Sequence, residues 1–250
     1  MSVLYERPKS ILPNASSYCP GCMHATATRI IAEVIDELGQ KDNAIYVLPV
    51  GCSTQGLVSW DLDIIGSAHG RAPAVATGIK RCRPDCLVFC YQGDGDLASI
   101  GLAEIMSAAN RGENITVIYA NNSIFGMTGG QMAPTSLPGQ VTQTTPYGRD
   151  VKVAGNPIRV SEMLATLDGP AYIARVAVDS VKNIREAKKA IKKAFTMQLE
   201  GKGFTLVEVL SSCPTNWGKS PAEALDWLRE NMMPYYPLGV YKDIDAKEEK

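Results

Sequence analysis

The sequence of 250 residues is poor in charge and has almost no excess of either sign: 25 Lys and Arg stand against 26 Asp and Glu. A chain held to nucleic acid by bulk electrostatics is usually basic, so that class is excluded. No window reaches 18 uninterrupted apolar residues, which removes a membrane-spanning helix. The start, MSVLYERPKSILPNASSYCPG, lacks a basic segment joined to an unbroken apolar one. A secretory signal is therefore not expected, and the sequence reads as a soluble cytoplasmic protein. Internal repeats are absent, and histidine occurs only twice. What is present is 45% hydrophobic residues, enough to bury the core of a single α/β domain over residues 1–250. The seven cysteines are an odd number. In a reducing compartment they read as metal ligands or buried thiols rather than disulfides.

Short runs rich in Val, Ile and Tyr alternate with stretches of helical period. Residues 44–50, 86–92, 114–121, 171–178 and 204–210 predict strands buried on both faces, and 24–39, 72–82, 98–112 and 180–201 predict helices. This alternation predicts an α/β fold, a mostly parallel sheet flanked by helices. Gly39 and Gly112 read as helix stops and Ser180 as an N-cap. Beyond Ser180, Val181, Ile184, Ala187, Ile191, Ala194 and Leu199 form an inward stripe. The opposite face, with Arg185, Lys188, Lys189, Lys192 and Lys193, is expected to be solvated. Residues 125–160 are rich in Gly, Pro and Thr and predict a long functional loop, while the tail DIDAKEEK is expected to fray.

The stretch YQGDGDLASI, residues 91–100, sets two carboxylates among glycines beyond a predicted strand. In a parallel sheet, ligands collect at the carboxyl ends of strands. Gly93 and Gly95 let the backbone come close and offer N–H groups to phosphate oxygens beside a helix N-terminus. Asp94 repels a phosphate unless a divalent ion stands between them, and Mg²⁺ takes hard oxygen ligands of this kind. The next predicted strand ends at Asn121 and Asn122. The 27 residues between Asp94 and Asn122 hold one helix and one strand, which returns the chain to the same sheet edge. GDG alone reads as a turn; paired with NN, it reads as a site for a metal diphosphate.

Cysteine gives a second line. Cys19 and Cys22 form CPGC in a predicted loop, Cys52 follows a strand in VGCS, and Cys213 follows the last strand in SSCP. Four thiolates delivered from chain turns suit either Zn²⁺ or a 4Fe–4S cluster, and spacing does not separate the two. Cys82, Cys86 and Cys90 cannot aim three thiols at one ion while a strand runs through them, and read as small buried or edge residues.

GDG followed by a helix, a strand and NN resembles the metal-diphosphate motif of thiamine diphosphate enzymes. SYCPGCMH, PVGCS, AHGRAPAVATGIK, GDGDLASIG, NNSIFGMTGGQMAPTS and SSCPTNWG occur in this order between residues 17 and 218. Together they resemble the β subunit of the 2-oxoacid:ferredoxin oxidoreductases. The resemblance implies the thiamine diphosphate-binding (pyrophosphate-domain) fold, with the CPGC segment at its start and a C-terminal extension carrying the fourth cluster cysteine. It implies Mg²⁺ on Asp94, Asn122 and the main-chain carbonyl of Ile124. Val50, Gly51, Cys52, Ser53, His69, Gly95, Asp96, Gly126 and Met127 would line thiamine diphosphate, and Cys19, Cys22, Cys52 and Cys213 would hold a 4Fe–4S cluster.

The activity so implied is oxidative decarboxylation of a 2-oxoacid to acyl-CoA and CO₂, with electrons leaving through the cluster to ferredoxin and coenzyme A as acyl acceptor. The glutamate that activates the cofactor in such enzymes is expected on a partner α subunit bearing the pyrimidine domain. An eight-cysteine ferredoxin pattern is missing, so further clusters are expected on γ and ferredoxin-like δ subunits or domains, and this chain alone is expected to be inactive. Met23 stands where a glycine is common, which bears on the local turn and the polarity near the cluster. The loops GCSTQG and FGMTGGQ contain no Lys or Arg. That favours a branched-chain acid such as 2-oxoisovalerate over 2-oxoglutarate or pyruvate, and the loop around PYGRD resembles the same branch. Arg71 and Arg149 are the candidates that would reverse this choice by binding a carboxylate. The competing readings are a non-redox thiamine diphosphate lyase or synthase subunit whose four cysteines hold a structural zinc, and a phosphate-binding scaffold without catalysis.

Overall fold

The computed structural model describes residues 6–14 and 16–246; the end of the tail expected to fray, 247–250, lies outside the described residues. Seven strands form one sheet among the described residues: β1 (Ala44–Leu48), β2 (Asp63–Gly66), β3 (Leu87–Gly93), β4 (Thr116–Asn121), β5 (Pro170–Ala177), β6 (Phe204–Leu210) and β7 (Gly239–Asp243). Their order is β2-β1-β3-β4-β6-β5-β7. The first six are parallel, and β7 runs antiparallel to β5. Helices α1 (His24–Glu37), α2 (Ala72–Cys82), α3 (Leu102–Asn110), α4 (Val151–Ala154), α5 (Val160–Ala165), α6 (Val181–Leu199), α7 (Pro214–Trp217) and α8 (Pro221–Trp227) complete the frame.

Alternation along the central strands builds two cores. Tyr46, Phe89, Tyr91 and Ile118 face α1 and α6, where Ile31, Ile35 and Phe195 meet them. Val47, Val88, Cys90 and Val117 face the other layer with Ile105 of α3 and Leu164 of α5. Helices on both faces explain why these strands read as unbroken apolar runs. Cys86 and Cys90 are packed in the second core and Cys82 is exposed at the end of α2, so the three thiols do not share a site. From β1 the chain moves outward to β2, whereas from β3 it moves the opposite way to β4. This reversal opens a crevice at the carboxyl ends of β1 and β3, where α/β sheets bind ligands.

The structure differs from the sequence reading in several places. β2 and β7 are edge strands with little burial, so no long apolar run marks them. The helix expected over 98–112 starts at Asp96 with one wide turn, Asp96–Ile100, and α3 begins after Gly101. A Cβ at Gly101 would stand 2.4 Å from the Asp96 carbonyl oxygen and 2.7 Å from that of Gly70, so backbone fills the space a side chain would need. Ser180 caps α6 by accepting the Asn183 N–H at 3.2 Å, and Gly39 and Gly112 end their helices at φ of 65° and 62°. In the inward stripe of α6, Ala187, Ile191 and Ala194 are buried, but Val181 and Leu199 lie at the helix ends and are exposed. The face expected to be solvated is partly paired: Lys188 bridges Glu33 and Glu37, Lys192 reaches Glu37, and Lys193 reaches Asp243. Such exposed pairs contribute little each.

One buried polar side chain ties layer to sheet. Gln198 of α6 accepts the Val88 N–H at 2.8 Å and donates to the Val88 carbonyl at 2.8 Å and to Thr116 Oγ1 at 2.7 Å. It supplies the hydrogen bonds that β4 does not yet offer at the start of β3, since their pairing begins at Phe89. Replacement by an apolar residue leaves two main-chain groups buried without partners, at roughly 1–3 kcal/mol each. Gln198→Met is expected to lower unfolding free energy by about 2–4 kcal/mol, read as a shifted denaturant midpoint with unchanged slope.

Candidate cofactor site

The crevice is walled by the three loops that leave β1, β3 and β4. The loop after β3 brings Asp94, which is 4% exposed. Its Oδ1 accepts the Gly95 N–H at 3.0 Å, and its Oδ2 accepts the Ile124 N–H at 3.1 Å and the Thr135 hydroxyl at 3.0 Å. Burial pushes the Asp94 carboxyl up to about 7 even against these hydrogen bonds, so the site holds a negative charge only at a cost. Gly95 has no room for a side chain without displacement: a Cβ would lie 3.0 Å from the Phe125 ring.

The loop after β4 completes the oxygen set. Ser123 takes a left-handed backbone, φ 56°, and the Asn121 amide oxygen accepts its N–H at 3.1 Å. This turn brings the side chain of Asn122 to Asp94 and to the Ile124 carbonyl. With its nitrogen turned to them, the Asn122 amide donates to the Ile124 carbonyl at 2.8 Å and to Asp94 Oδ2 at 3.2 Å. Turned over, it offers its oxygen instead, and three acceptors so close need a cation among them. Octahedral Mg²⁺ with bonds of about 2.0–2.1 Å sets neighbouring oxygens about 2.9 Å apart. In that second orientation the donor set fits Mg²⁺.

The cavity beside these oxygens is bordered by every predicted cofactor residue except Ser53: Val50, Gly51 and Cys52 after β1, His69 before α2, Gly95 and Asp96 after β3, and Gly126 and Met127 after β4. Ser53 stands behind the wall, buried; its carbonyl accepts the Tyr46 hydroxyl at 2.9 Å. Asp96 is a clamp more than a lining group. Its Oδ1 takes His69 Nδ1 at 2.6 Å, the Gly70 N–H at 2.8 Å and the Val50 N–H at 3.3 Å, and its Oδ2 takes Gln92 Nε2 at 2.5 Å. A carboxylate only accepts, so His69 Nδ1 carries the hydrogen and Nε2 is the ring's free nitrogen.

The cysteines converge on one side of this cavity. A Cβ on Gly126 would stand 3.3 Å from Cys52 Sγ and 3.5 Å from Cys213 Sγ, so the two thiols flank that glycine. Asn216 Nδ2 donates to Gly126 O at 2.8 Å and to Cys213 Sγ at 3.3 Å. The CPGC turn closes by Cys22 N–H to Cys19 O at 3.1 Å, and Ser212 Oγ joins it to the Cys213 segment through Gly21 O at 3.1 Å. Burial pushes the Cys22 thiol up to about 12 and the Cys52 thiol up to about 11, and the neighbouring cysteines raise both further. Thiols in this state need a cationic core to become ligands. Among the described residues no three His, Cys, Asp or Glu side chains could hold a single metal ion. One tetrahedral ion with bonds of about 2.3 Å would draw sulfurs to about 3.8 Å, whereas a four-iron core takes them at its corners, more widely spaced. Met23 is buried in the main core.

Neither candidate arginine borders this cavity. Arg71 pairs with Glu104 and does not border the cavity. Arg149 is buried, and its guanidinium donates to the carbonyls of Ala133, Pro134, Ser136, Ala154 and Gly155 at 2.7–3.2 Å. It is the organiser of the long loop, which is ordered around it and delivers Thr135 to Asp94. The sequence reading missed His24, a buried member of the cavity wall whose Nδ1 lies 2.6 Å from the Tyr91 hydroxyl. Its position two residues after CPGC was the available signal. The hydrogen-bonding roles of Thr135 and of Asn121, which the NN motif marked only as a strand end, were not legible.

A mostly parallel sheet whose switch point brings a buried carboxylate to a cavity and a group of thiols has the layout of a cofactor-binding domain. The family described as thiamine pyrophosphate enzyme, C-terminal TPP binding domain, matches residues 50–209. The ketoisovalerate oxidoreductase subunit VorA of Methanothermobacter thermautotrophicus is 47% identical over 98% of this chain, which covers 52% of that protein. The 2-oxoglutarate synthase subunit KorB of Methanocaldococcus jannaschii is 36% identical over 92% of this chain and 82% of its own length. Among solved structures, the 2-oxoglutarate:ferredoxin oxidoreductase of Magnetococcus marinus, with 2-oxoglutarate, coenzyme A and succinyl-CoA bound, superposes with a TM-score of 0.76 at 27% identity, over 98% of this chain and 87% of that one. The chain spans about half the length of the VorA relatives it matches. It belongs to the thiamine diphosphate-binding (β) subunits of the 2-oxoacid:ferredoxin oxidoreductases.

Arg149→Met removes the shared donor of five carbonyls. Amide hydrogen exchange across 133–155 is expected to accelerate by at least tenfold, with a loss of about 2–4 kcal/mol in stability; unchanged exchange there contradicts the organising role.

Proposed function

We propose that the chain is the Mg²⁺- and thiamine diphosphate-binding subunit of a complex that converts a 2-oxoacid to acyl-CoA and CO₂. Electrons leave through a 4Fe–4S cluster on Cys19, Cys22, Cys52 and Cys213 to ferredoxin. The observation that carries this reading is that the buried Asp94 carboxyl, the Asn122 amide and the Ile124 carbonyl meet at one point, on a loop whose next turn sets Gly126 beside Cys52 and Cys213. Asp94, Asn122 and the Ile124 carbonyl would hold Mg²⁺, and Gly51, Gly95 and Gly126 leave the backbone bare where a diphosphate approaches. When bound, the cofactor supplies a nucleophilic carbon and an electron sink for loss of CO₂. His69, held by Asp96, presents its free nitrogen to that cavity, and the thiols stand at the cavity's edge.

The substrate we assign is a branched-chain acid such as 2-oxoisovalerate. In its favour, Val50, Ile100 and Met127 border the cavity, and no Lys or Arg does so among the described residues. The pairing of Arg71 with Glu104 and the burial of Arg149 remove the two cations that favoured a dicarboxylate. A partner α subunit would bring the activating glutamate, and γ and ferredoxin-like δ subunits or domains would carry electrons onward. No described helix is long and apolar enough to cross a membrane, and we assign the complex to the cytoplasm, where thiols stay reduced.

The test is purification without oxygen, determination of iron, magnesium and thiamine per chain, and assay of a panel of 2-oxoacids with coenzyme A and a viologen dye. Branched-chain acids are expected to lead; a preference for 2-oxoglutarate overturns the substrate assignment. Asp94→Ala is expected to weaken Mg²⁺-dependent thiamine diphosphate binding by more than the roughly 100-fold that loss of an outer partner costs, measured by calorimetry. Retained binding contradicts the metal site. Cys213→Ser is expected to lower iron content and alter the EPR spectrum of the reduced cluster while thiamine diphosphate remains bound.

A further inference from the structure

We propose that Glu208, anchored by Arg175, positions the metal-binding turn by fixing which way the Asn121 amide points. The inference rests on the reading of Asp94, Asn122 and Ile124 as Mg²⁺ ligands, and goes beyond it to residues that touch neither ion nor cofactor.

Asn121 ends β4, next to the ligand Asn122, and both are buried. Its side chain makes two bonds of opposite sense: Nδ2 donates to Glu208 Oε1 at 2.8 Å, and Oδ1 accepts the Ser123 N–H at 3.1 Å. An amide is nearly symmetric in shape, so packing alone does not choose between its two orientations. Glu208 does choose, because a carboxylate accepts and never donates. With the amide nitrogen turned to Glu208, the oxygen must face Ser123. That bond holds Ser123 at φ 56°, a conformation rare outside glycine, and the turn it makes brings the Asn122 side chain to the Ile124 carbonyl and to Asp94.

Glu208 has no exposure, and neither has the Arg175 side chain beside it. Arg175 Nε lies 2.9 Å from Glu208 Oε2, off line for a hydrogen bond but close in charge, and the Ser161 hydroxyl donates to the same oxygen at 2.5 Å. Glu162 and the Tyr241 hydroxyl hold the far side of the guanidinium. Arg175, Glu208 and Tyr119 face one another across β5, β6 and β4, with Asn121 two residues further along the same face. The sheet register thus carries a charge pair to the strand end where the turn begins.

The same chemistry says what Glu208→Gln does. Arg175 and Ser161 attract the new amide's oxygen, which turns its nitrogen toward Asn121. Two NH₂ groups then meet, Asn121 flips, and the Ser123 N–H loses its acceptor. The swap variant Glu208→Gln with Asn121→Asp rebuilds every bond in reverse: the amide now on β6 would donate, and the carboxylate now ending β4 would accept from both sides. Ser161→Ala removes a bond to Glu208 but leaves the Asn121 bond intact.

The experiment is a Mg²⁺ titration of thiamine diphosphate binding by the full chain in its native complex, followed by calorimetry, with thermal unfolding of each variant. Glu208→Gln is expected to weaken the Mg²⁺ dependence of binding by about 10–100-fold, the usual effect of losing an outer partner of a metal ligand. The swap is expected to recover most of it, and Ser161→Ala to leave it unchanged. If Glu208→Gln does not fold, Asn121→Ala is expected to give the same weakening. Wild-type affinity in Glu208→Gln or Asn121→Ala, or a swap no better than the single variant, overturns the proposal. A wild-type chain that binds thiamine diphosphate without regard to Mg²⁺ overturns the metal reading itself.

Discussion

The structure depends on one buried carboxylate that lacks a counter-charge of its own. Asp94 sits beyond the end of a central strand, accepts hydrogen bonds only from neutral donors, and is raised toward neutrality by burial. A protein core excludes such a group unless something compensates it. Here the Asn122 amide, from the end of a second strand, lies against Asp94 and the Ile124 carbonyl and donates to both when its nitrogen is turned to them. Turned the other way it offers an oxygen, and the site then suits a divalent cation.

Much of this was legible in the sequence because the fold places chemistry at strand ends, and strand ends have local signatures. The five buried strands read correctly from their apolar runs, and GDGD and NN sit at the carboxyl ends of β3 and β4 as the alternation predicts. The resemblance to a family supplied the assignment of Ile124, a role proposed for its main chain and so without a side-chain signal. The edge strands β2 and β7 were invisible, since pairing by one neighbour demands neither a run nor an alternation. Val181 and Leu199 continue the helical period of α6 past the point where the sheet covers it, so period alone overstated the buried face.

The sequence was least informative where a residue's surroundings depend on partners distant in sequence. Arg71 read as a weak candidate for a substrate carboxylate or as a structural ion pair, and it pairs with Glu104, whereas Arg149 is enclosed by carbonyls of its own loop. Ser53 is buried beside a lining cysteine and does not border the cavity. Asp96 borders the cavity as expected and also accepts from His69 Nδ1. In each case the residue type indicated a charge or a hydroxyl and could not indicate where its partner stood.

The loop after β4 explains why the cofactor cavity and the thiols are found together. Within it, Asn122 and Ile124 face the oxygen site, while Gly126 passes between Cys52 and Cys213. Cys52 in turn begins the loop after β1 and borders the cavity itself. A Cβ at position 126 would crowd the Cys52 sulfur at 3.3 Å and touch that of Cys213 at 3.5 Å, so a bare backbone lets this turn come close to both. The long segment that follows, folded around Arg149, returns Thr135 to Asp94, and the Tyr236 hydroxyl fastens Thr135 through its carbonyl at 2.7 Å. Three distant parts of the chain therefore meet at a single turn, with Asp94 at one end and a pair of thiols at the other.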